Sequence, residues 1–139
     1  MILFHFETDF KLQNRLLFKK WIQFFTRQLG KKIGEVNYIF CSDAYLHDLN
    51  VKYLHHDTLT DIITFDYTEN DMLHGDIFIS IERVKENSEK FKINFQEELK
   101  RVIAHGVLHL AGFKDKKKED KATMRIQEDR ALEMFNKVL

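Results

Sequence analysis

Hydrophobic and polar positions along the chain change period several times, and each change marks an element. Residues 2–6, ILFHF, make a short apolar and aromatic run that reads as a strand. From Leu12 to Leu29 the period lengthens. Phe18, Ile22, Phe25 and Leu29 recur at helical spacing beside Leu17, Trp21 and Phe24, and Gly30 follows as a candidate cap. In 35–42, EVNYIFCS, Val36, Tyr38 and Phe40 alternate with Asn37 and Ile39, the two-residue period of a strand. Ser42 or Asp43 can then cap a short helix through AYLHDLNVKYL.

Two further strands are predicted at 61–67, DIITFDY, and 74–80, HGDIFIS, joined by the polar turn TENDML. Helices are predicted from Ile81 to Lys90, from Phe95 to Ala111 and, strongly charged, from Glu119 to Val138. Strands and helices do not strictly alternate. The predicted class is therefore α+β: a small mixed β-sheet of about four strands covered by about five helices. No repeat, linker or composition break divides the chain, so one domain over 1–139 is expected.

The 95–111 helix departs from ordinary amphipathic patterning. Leu99, Ile103, Gly106 and Leu110 form a stripe, and Val102, Ala104, Val107 and Leu108 leave few polar positions after Arg101. Such a helix is buried on most sides. Yet it carries His105 and His109 four residues apart, one turn above the other on one face. Gly112 stands where a left-handed cap would turn the chain back, and Asp115 follows within reach of the imidazoles.

Spelled out, the spacing is His-x3-His-x2-Gly-x2-Asp. Two imidazoles and a carboxylate can hold zinc and leave a fourth tetrahedral position open, as in catalytic sites. An ion held this way lowers the pKa of a bound water towards about 7. The bland alternative is a pair of satisfied helix histidines, and the glycine-then-carboxylate continuation is what weighs against it. The spacing is also that of the His-Glu-x-x-His metalloproteases, whose glutamate is the general base. Here that position is Gly106, which argues against peptide hydrolysis by that route and suggests close backbone approach on the core stripe.

Composition and charge narrow the picture. Lys+Arg and Asp+Glu number 22 each among 139 residues, so any nucleic-acid contact must come from a local patch. KDKKKEDK (114–121), directly after the histidine helix, is such a patch or simply a solvated loop. Apolar residues at 44% suffice for a core, and Trp21 with Phe24 and Phe25 reads as part of it rather than as a base-stacking platform. Ala131, Leu132, Phe135 and Val138 make another packing face. A single cysteine, Cys41, cannot form an internal disulfide. Glu7 and Asp9 come too early for a secretion signal, and no apolar run nears the ~18 residues of a membrane span. A soluble cytoplasmic protein is expected.

With HGVLHLAGFKD quoted, the sequence resembles the YbeY family of bacterial metal-dependent endoribonucleases, which mature ribosomal RNA. LNVKYLHHDTLTDIITFDY (49–67) and HGDIFIS resemble two further segments of that family, in the same order. The resemblance implies a zinc site at the end of a central helix, with another divalent metal possible, and no organic cofactor. It implies single-strand-specific cleavage of RNA in small-subunit rRNA maturation and ribosome quality control, with ribosomal RNA and the small subunit as partners.

By that resemblance His105, His109 and Asp115 are the metal ligands and act through the metal. Asp115 stands where the family has a third histidine, and Lys114 where it has an aspartate. The family's RNA-contacting arginine is Leu54 here, and its proline is Leu59. His55, His56, Lys114 and Lys116 are the candidate RNA contacts. His55, His56 or His74 could instead supply the third ligand. Asp61 could hydrogen-bond a ligand imidazole and fix its tautomer, or be ordinary turn chemistry. The alternative function is an rRNA-binding assembly factor with a structural metal and little or no cleavage.

Overall fold

The computed structural model describes every residue from Met1 to Leu139. In chain order the elements are β1 (Ile2–Phe6), α1 (Arg15–Gln28), β2 (Lys32–Cys41), α2 (Asp43–Leu54), β3 (Ile62–Asp66) and β4 (Met72–Ser80). Three helices complete the chain: α3 (Ile81–Phe91), α4 (Phe95–Leu110) and α5 (Lys118–Phe135). The four strands form one sheet in the order β1-β2-β4-β3. β2 runs parallel to β1 and to β4, whereas β3 is antiparallel to β4 and forms an edge. This is the mixed-sheet α+β architecture that the patterning predicts.

Val36, Tyr38 and Phe40 of β2 and Leu73, Ile77 and Ile79 of β4 point into one core with α1, α4 and α5, and all six are fully buried. The Tyr38 hydroxyl donates to the Ile103 carbonyl at 2.8 Å and ties the central strand to α4. Trp21 lies in the core too, ringed by Phe18, Phe25 and Phe135, with Nε1 donating to the Ala131 carbonyl at 2.6 Å. A ring in that position cannot stack on a base.

Several boundaries differ from the sequence expectation: α5 ends at Phe135 rather than Val138, β4 starts at Met72 rather than 74, and two others have a clear local cause. β2 starts at Lys32 rather than at 35, because Lys32 and Ile33 pair with Met72 and Leu73 across an irregularity before Val36. That irregularity breaks the alternation that marks a strand. α1 starts at Arg15 rather than Leu12, since Asn14 sits in the left-handed region with φ 55°. Leu12 is buried all the same.

The placement of α4 matters most for function. A Cβ on Gly106 would lie 2.7 Å from Ile77 Cγ2 and 3.1 Å from Ile62 Cδ1, so only glycine lets the helix come this close to β4 and β3. α4 then ends in a paired cap. Gly112, at φ 104°, donates its N–H to the His109 carbonyl, and Phe113 donates to that of Leu108, both at 3.0 Å. That turn directs the following loop back over the end of the helix, beside edge strand β3.

Candidate metal centre

His105 and His109 project from one face of α4, their rings edge-to-face with centroids 4.6 Å apart. The loop after Gly112 brings in Asp115, whose Oδ2 lies 3.1 Å from His105 Nε2 and 3.2 Å from His109 Nε2. One ligand atom from each of the three residues lies within 4.8 Å of the other two. Ligands at ~2.0–2.1 Å from a tetrahedral ion stand about 3.4 Å apart, so the spacing suits zinc with a small adjustment.

The chemistry of the donor set points the same way. His105 Nδ1 lies 2.7 Å from Glu128 Oε2, and a carboxylate oxygen can only accept. The ring proton of neutral His105 therefore belongs on Nδ1, which leaves the Nε2 lone pair facing Asp115. Lone pair and carboxylate at 3.1 Å repel unless a cation lies between them. A proton or a metal ion meets that need. Burial alone would lower the His105 pKa, but the hydrogen bond and charge of Glu128, aided by Asp115 and Asp61, raise it above the ordinary 6.5. Proton and metal would thus compete for one place.

Glu128 is the participant that sequence reasoning missed. It sits on α5, only 6% exposed, with its other oxygen 3.1 Å from Arg101 Nη1, which also reaches Asp129 at 3.0 Å. A signal existed. Met124, Glu128, Ala131 and Phe135 occupy one buried stripe of α5, and a charge in such a stripe needs a partner.

Asp61 makes no hydrogen bond to either ligand imidazole, and at His105 Glu128 takes that place. It opens β3 beside the histidines, and desolvation raises its pKa, partly countered by the positive field of His105. His74 lies away from the centre, stacked over Gly34 with Nδ1 accepting the Glu35 N–H at 3.0 Å. It is therefore no third ligand. His55 caps α2 in the left-handed region, with φ 55°.

The three residues open into a groove of about 560 Å³ between the end of α4, edge strand β3 and the α2–β3 loop. Of the four candidate RNA contacts, His56 and Lys116 line this groove, while His55 and Lys114 lie outside its walls. Leu54 lines it as well, 41% exposed.

A family model described as Endoribonuclease YbeY matches residues 5–136. The chain belongs to the YbeY family. Curated relatives bearing the name Endoribonuclease YbeY include one from Flavobacterium johnsoniae, 52% identical over 136 residues that cover 98% of each chain. One from Karelsulcia muelleri is 54% identical over 129 residues, covering 93% of this chain and 92% of its own. The solution structure of TM1509 from Thermotoga maritima superposes with a TM-score of 0.69 at 26% identity, over 97% of this chain and 89% of that one. Asp115 and Leu54, the two positions where the resemblance implied a histidine and an arginine, both line the groove.

Proposed function

We propose that this protein is a metal-dependent endoribonuclease that cleaves single-stranded ribosomal RNA during small-subunit maturation and quality control, with zinc held by His105, His109 and Asp115. The observation that carries the reading is the convergence of those three side chains, each with an atom able to ligate a metal, at the mouth of a groove. Membership of a family whose described activity is endoribonuclease supplies the substrate class. A divalent ion held there supplies Lewis acidity and positive charge beside the scissile phosphate.

The chain's own groups do the rest. Lys116 and the ring N–H of His56 can hold phosphates along the groove, through contacts that carry no sequence information. Thr58 and Thr60 offer hydroxyl groups to sugars and bases, and buried Asn50 holds the loop by donating its amide to the Thr58 carbonyl at 2.9 Å. The centre lies within a groove between helix ends, a strand edge and a loop, rather than on a projecting element that enters a duplex groove, which suits an unpaired strand. One carboxylate with two imidazoles also favours harder ions such as Mn²⁺ more than three imidazoles would.

The test is cleavage of a ribosomal RNA fragment by nuclease-free recombinant protein, with elemental analysis of the same preparation. About one equivalent of zinc, and cleavage abolished in His109→Ala, are expected. Cleavage that persists in His109→Ala, or that acts on duplex equally, overturns the reading. Leu54 favours a second reading, an assembly factor that binds rRNA and cleaves little. Zinc-loaded wild type that binds RNA without cutting it, and gains cleavage in Leu54→Arg, would establish that reading.

A further inference from the structure

We infer that Glu128, on a helix separate from both histidines, is a positioning residue that sets the tautomer of His105 and thereby its competence to bind metal. The inference rests on the reading of His105 as a ligand through Nε2, and goes beyond it in assigning a role to α5. Three observations carry it.

The Glu128 carboxylate is buried, and each of its oxygens is already engaged. Oε2 faces His105 Nδ1 at 2.7 Å, and Oε1 faces Arg101 Nη1 at 3.1 Å. Arg101 is itself mostly buried and bears only donors, so it requires an oxygen at Oε1. Finally, Glu128 approaches Nδ1, whereas Asp115 faces the other ring nitrogen, Nε2, at 3.1 Å. The carboxylate therefore selects the Nδ1–H form and leaves Nε2 free on the side where the ligand atoms converge.

This arrangement makes a sharp prediction for an isosteric change. In Glu128→Gln the amide has one oxygen and one NH₂. Arg101 claims the oxygen, so the NH₂ turns to His105 and donates to Nδ1. The imidazole then carries its proton on Nε2, where a metal would bind. Zinc affinity should fall by about 10–100-fold, the usual effect of removing a partner that orients a ligand. Glu128→Ala, which leaves the ring free to choose, should fall less far than Glu128→Gln.

Two readouts separate the outcomes. Nitrogen-detected NMR of the histidine rings, in metal-free protein well above the imidazole titration range, reports the tautomer directly. Competition with a chromophoric chelator reports zinc affinity. The expected result is Nδ1–H in wild type, Nε2–H in Glu128→Gln, and affinities in the order wild type, Glu128→Ala, Glu128→Gln. A Glu128→Gln protein that keeps Nδ1–H, or binds zinc within a few-fold of wild type, overturns the inference. Wild type that binds no zinc overturns the metal-site reading instead, and the tautomer shift still decides whether Glu128 orients the ring. Thermal unfolding of each variant identifies any that fails to fold. For that case Arg101→Lys is the second test: Lys keeps the charge but not the guanidinium fork, so it should loosen Glu128 and lower zinc affinity, and unchanged affinity counts against the inference.

Discussion

Helix α4 meets its neighbours along two seams of opposite character. Towards the sheet the seam is apolar: Leu99, Ile103 and Leu110 are buried, and Gly106 meets Ile77 and Ile62. Towards α5 and the following loop it carries an ionic cluster beside apolar contacts: Arg101 and His105 meet Glu128, Asp129 and Asp115. The first seam fixes where the helix lies, by volume and close approach. The second fixes which atoms of the histidines are free, by matching donors to acceptors. Apolar contacts tolerate replacement by neighbours of similar size, whereas a buried polar pairing has few substitutes.

Changes on each seam should therefore separate placement from chemistry. The largest effect is expected from Asp115→Ala. It removes a proposed ligand, so zinc affinity should fall by more than the ~100-fold typical of an orienting partner, with the metal-free fold intact. Asp115→His should retain zinc. Chelator competition on both variants checks this, and zinc retained in Asp115→Ala would move the third ligand elsewhere. On the apolar seam, Leu99→Ala empties a fully buried position and should cost about 2–5 kcal/mol in chemical denaturation. The folded fraction should bind zinc as wild type does, and a parallel loss of affinity would show that the two seams are not separable.

Gly106→Ala comes next. Alanine would add about 1 kcal/mol of helix propensity. The new Cβ would lie 2.7 Å from Ile77 Cγ2, and such overpacking costs about 1–3 kcal/mol. A net loss of stability is expected, and a gain would mean that the seam has room to relax.

The smallest effect is that of pH on metal-free protein. His105 holds its proton more tightly when folded, so the native state binds the extra proton. Stability should fall as pH rises above 6.5 and through the raised folded value. Burial likewise raises Asp61 and Glu98 above their ordinary 3.8 and 4.5, which gives the same sign at lower pH. Zinc-saturated protein should show the opposite trend across neutrality, because ligand imidazoles must be deprotonated. Unfolding temperatures with and without zinc would reveal it, and parallel curves would argue that no metal competes with the proton at His105.

The apolar seam was legible in the sequence, as the stripe from Leu99 to Leu110 and the glycine within it. So was the gathering of His105, His109 and Asp115, because i, i+4 spacing and a capping glycine act over one turn. Glu128 was legible only as a charge within the apolar stripe of α5; its partner was not, because His105 lies 23 residues away on another helix and no local period connects them. The three extra residues at the start of β2 escaped for the complementary reason. Their pairing partners on β4 are distant, and the irregularity before Val36 erases the alternation that would mark a strand.

The hydrogen bond from Trp21 to Ala131 spans 110 residues and joins the first helix to the last. Trp21 is the only tryptophan, and Ala131 follows Glu128 by less than one turn of α5. Its fluorescence therefore gauges the docking of the helix that braces His105. Contacts this far apart in the chain close late in folding. A nascent chain thus carries both histidines before it carries Glu128, so the proposed metal centre gains its orienting partner only after α5 has emerged and docked.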